Sequence, residues 1–201
     1  MTMLSLNFLA ALTLFCTVSS VTPGPNNLMV MASGANFGYR RSLPHMLGIA
    51  LGFAAMVVLV GIGLMQLFET VPVLRRILTV ACVVYLLYLA WKIAHAAPPS
   101  GEADPTRRPM SFLQAAAFQW VNPKAWTMAL TAITIYAPGR DLAAVAVIAV
   151  VFGLVCLPAL SVWVLLGQQM RRLLHNPARL RTFNWSMAAL LVASLYPVFL
   201  H

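Results

Sequence analysis

The residues best placed to do chemistry lie in two short polar interruptions of otherwise apolar sequence. One is Thr22-Pro23-Gly24-Pro25-Asn26-Asn27; the other is Trp120-Val121-Asn122-Pro123-Lys124-Ala125-Trp126. They offer the amides of Asn26, Asn27 and Asn122, backbone groups released by Pro23, Gly24, Pro25 and Pro123, and one ammonium, Lys124. That is chemistry for holding a polar solute. An ammonium in an apolar stretch costs roughly 2.5–3.5 kcal/mol on insertion scales, so it must snorkel, pair or face water. Lys124 therefore either attracts a solute carboxylate or anchors a helix end near an interface, and the two readings stand level.

Other reactive side chains are dispersed. His45, His95, His175 and His201 fall at linkers or termini without ligand spacing, and the acids Glu69, Glu102, Asp104 and Asp141 all fall in linkers. His45 reads as an interfacial side chain in preference to a proton-responsive one. Cys16, Cys82 and Cys156 stand singly in apolar runs and read as buried free thiols. A membrane enzyme needs converging acids, bases or nucleophiles, which this pattern lacks; no metal and no cofactor are expected.

The elements that hold the two motifs follow from composition. Of 201 residues, 61% are hydrophobic and only 8% charged, with a mean hydropathy of +0.86, so the chain needs lipid as solvent. At about 20 residues per span there is room for about six transmembrane helices and short loops. The apolar stretches are Met3–Val21 continuing through Asn26–Asn36, Leu43–Leu67, Ile77–Ala97, Ser111–Ala137, Leu142–Gly167 and Phe183–Leu200. Between them lie Phe37 to Ser42, Phe68 to Arg76, Pro98 to Pro109, Pro138 to Asp141 and Gln168 to Thr182, read as linkers. The first stretch has no basic residue ahead of it and no small-residue cleavage site, so it reads as a retained span.

The formal charge of +9 is placed by topology. Arg40, Arg41, Lys92, Arg107, Arg108, Arg171, Arg172, Arg179 and Arg181 fall at the odd linkers, against Arg75, Arg76 and Arg140 at the even ones. That asymmetry predicts cytoplasmic odd linkers and both termini in the periplasm. A nucleic-acid partner is not expected, because no soluble part remains to present a basic surface.

If helical throughout, the run from Met3 to Asn36 would be about 50 Å long, more than one untilted span, so Pro23 and Pro25 must break it. Pro123 breaks the fourth stretch in the same way, about a hundred residues on. Non-helical backbone at membrane depth is tolerated only where protein covers it or a wet cavity meets it. The predicted fold is an all-α integral membrane protein of two inverted three-helix repeats, residues 1–97 and 111–201, joined by a linker over 98–110. Its first and fourth helices are proline-broken, and corresponding breaks in two halves point to a transporter site. Packing kinks are the plainer alternative. Gly48 with Gly52, and Ala115 to Ala117, read as packing faces; Trp120 and Trp126 are interfacial aromatics or cavity walls.

The motif Thr22-Pro23-Gly24-Pro25-Asn26-Asn27, followed by Gly38, Arg40, Gly48 and Gly52, closely resembles the amino-terminal signature of the LysE/RhtB amino-acid exporters. Asn122-Pro123-Lys124 resembles that family's fourth-span motif, Tyr85-Leu86-Leu87-Tyr88-Leu89-Ala90-Trp91-Lys92 its third-span pattern, and Arg181-Thr182-Phe183-Asn184 the start of its last span. Asn26-Asn27, Ser111-Phe112 and Phe118-Gln119-Trp120-Val121-Asn122 are nearest the branch that exports cysteine and O-acetylserine. The resemblance implies a secondary transporter exporting amino acids or close metabolites across the bacterial inner membrane, driven by the proton gradient. The chain departs from members that carry an intramembrane carboxylate, since its own acids fall in linkers. The expected solute-binding set is Thr22, Pro23, Gly24, Pro25, Asn26, Asn27, Gln119, Asn122, Pro123 and Lys124. Lipid and a small amino acid are the expected partners, and a homo-oligomer is compatible with the sequence. A membrane enzyme or a structural or regulatory membrane subunit is the alternative.

Overall fold

The computed structural model describes residues 5–64, 70–95, 108–139, 141–173 and 176–196. The described elements are helical: α1 Leu6–Val21, α2 Pro25–Phe37, α3 Tyr39–Leu59, α4 Pro72–Ala94, α5 Phe112–Phe118, α6 Pro123–Tyr136, α7 Leu142–Leu173 and α8 Pro177–Ala193. A π-helical turn, Val60–Leu64, extends α3, and a 3-10 turn, Gln119–Val121, links α5 to the break before α6.

Among the described residues three helices are long and apolar enough to cross a membrane: Tyr39–Leu64, Arg76–Ala94 and Leu142–Met170. A fourth span is available if α1 and α2, bent by 58° at their break, count as one. The other two expected spans are the broken pair α5 and α6, and α8 of 17 residues.

Both breaks fall where the prolines place them. Proline is well suited to the first helical position, where its missing N–H has no bond to lose, and Pro25 and Pro123 open α2 and α6 in this way. The linkers are shorter than the sequence suggested. Only Gly38 separates α2 from α3, so Arg40 and Arg41 belong to a helix; Arg75 and Arg76 lie within α4, and α7 runs on to Leu173 before α8 starts at Pro177. Arginine is a good helix former, and a basic cluster marks a change of solvent more reliably than a change of backbone. Gly38 takes a φ of 81°, the left-handed region where glycine is favoured. The Pro98–Pro109 linker lies outside the described residues except at its end.

α7 is the central helix, packed against α1, α2 and α3, while α4 packs against α8. Small residues set the closest approaches, as expected where packing alone must join helices in lipid. Gly48 meets the Phe112 carbonyl and Ala115, and Gly52 meets Ala116, so the two expected packing faces are one interface between α3 and α5. These pairs also show that α3 and α5 run the same way. α1 and α7 do likewise, since Phe15 meets Phe152 at a ring separation of 6.1 Å and Val21 accepts from Trp163. α6 runs against α1, with Lys124 near Thr22 at one end and the Tyr136 hydroxyl on the Ala11 carbonyl at the other. The three cysteines are free and buried, as expected.

Candidate functional site

A break in a helix releases carbonyls at one end and N–H groups at the other, and both must find partners. In the first break Asn27 meets the carbonyl demand. Its Nδ2 donates to the Ser20 carbonyl at 2.8 Å and the Thr22 carbonyl at 2.7 Å, while Thr22 Oγ1 donates to the Ser19 carbonyl at 2.9 Å. In the second break the Asn122 side chain accepts from the Lys124 backbone N–H at 3.1 Å and caps α6. Asn27 and Asn122 are therefore buried clamps on their own backbones. Asn27→Ala leaves the buried Ser20 carbonyl short of a donor, and we expect it to lower stability by about 2 kcal/mol, read by thermal unfolding in detergent.

The breaks meet. Lys124 Nζ donates to the Thr22 carbonyl at 2.5 Å, Thr22 Oγ1 at 2.9 Å and the Pro23 carbonyl at 3.4 Å. Asn26 Nδ2 donates to Gln119 Oε1 at 2.9 Å, and Gln119 Nε2 returns a bond to Asn26 Oδ1 at 3.2 Å. Gln119 also donates to the Ala115 carbonyl at 2.9 Å and is fully buried. A Cβ added to Gly24 would lie 2.6 Å from Lys124 Cδ and 3.2 Å from Nζ, so the absent side chain is what lets the ammonium settle at the start of α2.

A cavity of about 30 Å³ lies between the breaks. It has room for about two waters and is too small for an amino acid. Of the expected set, Gly24, Asn26, Asn27, Asn122 and Lys124 line it. Thr22, Pro23 and Gln119 instead hold lining residues in place, and Pro25 and Pro123 start the helices. Ser19, Ser20, Ile49, Phe53, Ala125, Met128, Cys156 and Leu160 complete the wall. Helical spacing links Ile49 to Phe53 and Cys156 to Leu160 at i, i+4, but nothing in the sequence said which face would meet the breaks. Trp120 and Trp126 stack edge to face, 5.9 Å apart, and Trp126 Nε1 donates to the Trp120 carbonyl. They are not among the residues lining the cavity.

The electrostatics are one-sided. α2 begins without a side-chain cap, so the positive end of its peptide dipoles faces the same space as the Lys124 ammonium. Among the described residues the only acid is Asp141, which caps α7 through the Ala144 N–H. The Ser20 hydroxyl, in a residue 7% exposed, lines the cavity with no protein partner. His45 is a correction: it is 2% exposed and enclosed by helices, because its face of α3 carries Gly48 and Gly52 into the contact with α5. Among the described residues no cluster of three or more metal-ligating side chains occurs.

Residues 17–194 match the family described as LysE type translocator. The chain belongs to this family. It is an integral membrane translocator, not an enzyme. It is similar to the Cysteine/O-acetylserine efflux protein of Klebsiella pneumoniae, 30% identical over 186 residues, 92% of this chain and 93% of that one. The protein of that name from Escherichia coli K12 is 30% identical over 199 residues, 95% of this chain and 97% of its own. No solved structure matches.

Proposed function

We propose that this translocator exports small amino acids and close metabolites, of the cysteine and O-acetylserine kind, across the bacterial inner membrane by a secondary mechanism. The solute site is the cavity between the two breaks. The observation that carries the reading is the convergence of the Lys124 ammonium and the uncapped start of α2 on a space where no described carboxylate lies. A solute carboxylate supplies the missing anion, and broken half-helices present just such ends to anionic solute groups. The unpartnered Ser20 hydroxyl, beside the carbonyl end of α1, accepts from the solute ammonium. A zwitterion is thus bound at both ends, displacing the contacts that Lys124 makes with Thr22 and Pro23.

The architecture is six spans in two inverted halves, 1–97 and 111–201. Its support is directional: α1 with α7 and α3 with α5 run alike, and α6 runs against α1, as six alternating crossings require. In this reading the odd connections are cytoplasmic and both termini periplasmic, with the excess of Lys and Arg at the odd connections as its support. Single cysteines at Arg40, Arg107 and Arg171 should resist an impermeant thiol reagent added to intact cells and react after permeabilisation; reaction in intact cells would reverse this topology.

The transport reading is tested by efflux. Vesicles containing the purified protein and preloaded with labelled cysteine or O-acetylserine should lose label faster than protein-free vesicles. Equal rates for every amino acid tried would overturn the function.

A further inference from the structure

His45 is 2% exposed, and neither ring nitrogen has a hydrogen-bond partner. A neutral imidazole has one donor and one acceptor, and folded proteins leave few such groups unpartnered. Its position connects it to the cavity. On α3 it stands one turn before Ile49 and two before Phe53, both cavity walls. One turn in the other direction is Ser42, whose Oγ lies 2.7 Å from Ser33 Oγ of α2, both buried. Ser33 in turn stands two turns beyond the cavity residue Asn26, on the same face of α2.

A row of buried polar groups therefore runs from the cavity toward the single-residue joint at Gly38. The row is not an ion-pair network. α2 and α5 carry no titratable side chain; α7 contributes Cys156 and, at its far end, Arg171 and Arg172; α6 contributes Lys124 and Tyr136; α3 itself begins with Tyr39, Arg40 and Arg41. In the opposite direction the cavity meets an apolar cluster with Leu12, Phe53, Val57 and Phe152, where Phe53 and Phe152 pack edge to face at 4.9 Å. One side of the cavity is thus closed by hydrocarbon alone, whereas on the other the apolar packing of Met46, Ile49 and Leu160 is joined by the serine pair, whose Ser42 also donates to the Gly38 carbonyl at 2.9 Å, and by an imidazole without a partner.

We infer that His45, Ser33 and Ser42 line the closed inner segment of the solute path, between the cavity and the Gly38 end of the bundle, with His45 as its gate. The inference rests on the transport reading above. A cavity with room for about two waters cannot pass an amino acid until helices part. Parting α3 from its neighbours wets the imidazole and gives its nitrogens the partners they lack here, so His45 alternates between a dry, unpartnered state and a hydrated one that touches solute.

Hydrogen–deuterium exchange at the imidazole C2 position, read by mass spectrometry on the unmodified protein in vesicles, tests this with exposed His95 as the internal reference. Without solute, exchange at His45 should be many-fold slower than at His95. With saturating O-acetylserine on both sides it should rise several-fold while His95 stays unchanged. Exchange that remains slow at His45 while labelled O-acetylserine is crossing the same vesicles overturns the gate, and so does fast exchange without solute. Absence of crossing by any amino acid overturns the transport reading itself and removes the gate with it. As a second readout, His45→Gln, which keeps a donor and an acceptor, should transport faster than His45→Leu at equal folded amount; equal rates contradict the role.

Discussion

Replacing Lys124 by glutamine should lower transport of cysteine and O-acetylserine by about tenfold to a hundredfold, with the protein still folded in the membrane. A hydrogen bond to a charged group contributes about 1.5–3 kcal/mol, and that range converts to the stated loss. Glutamine is one bond shorter but still an N–H donor, and the Asn26–Gln119 pair continues to join the breaks, so their contact is weakened and not abolished. The charge is what disappears. The check is the initial efflux rate at several solute concentrations, with folded protein measured by gel filtration in detergent. Lys124→Arg separates solute binding from anchoring: a bulkier guanidinium must clear Gly24, so transport should fall, whereas a helix anchor would tolerate it. Near-normal transport by both variants would return Lys124 to an anchoring role.

The largest structural effect should come from the contact of α2 with α7. A Cβ on Gly34 would lie 2.2 Å from the Val164 carbonyl oxygen, and a Cβ on Gly167 would lie 2.0 Å from that of Met31. Backbone cannot yield as a side-chain tip does, so Gly34→Ala or Gly167→Ala must push the helices apart. Close backbone approach between small residues is a main source of helix association in lipid, and α7 is the helix on which α1, α2 and α3 pack. We expect either change to lower the thermal midpoint by several degrees and to reduce the amount of folded protein recovered. Gly153→Ala on the same helix, where an added Cβ meets nothing within 4 Å, is the matched control and should leave both unchanged.

The contrast between these sites shows how much of the molecule was legible in its sequence. Pro23, Pro25 and Pro123 announce the breaks because a missing N–H and a fixed φ act locally, and the structure breaks there. That the breaks would meet was also readable, since exposed backbone is intolerable in lipid wherever it occurs. The partners were not. Asn26 and Asn27 are adjacent and alike, yet one bonds across to Gln119 and the other clamps its own break; a rotation of 100° per residue separates those fates, and only tertiary packing sets which side faces inward. His45 was misplaced for a related reason. It sits five residues from Arg40, which suggests an interface, while its neighbours Gly48 and Gly52 carry its face into the interior. Linker lengths were overestimated because arginines and a lone glycine were read as loop, whereas Arg40 and Arg41 are in the first turn of α3.

The central claim, that a solute carboxylate binds between the two breaks, is tested most directly by counterflow with paired competitors. Vesicles holding the unmodified protein and excess unlabelled cysteine are given labelled cysteine outside, together with either O-acetylserine or the amide of O-acetylserine. These competitors differ in whether the acid group is free. The account predicts that O-acetylserine suppresses counterflow, that the amide does so only at roughly tenfold or higher concentration, and that Lys124→Gln erases most of that preference. Equal suppression by acid and amide, or a preference unchanged in Lys124→Gln, would contradict it.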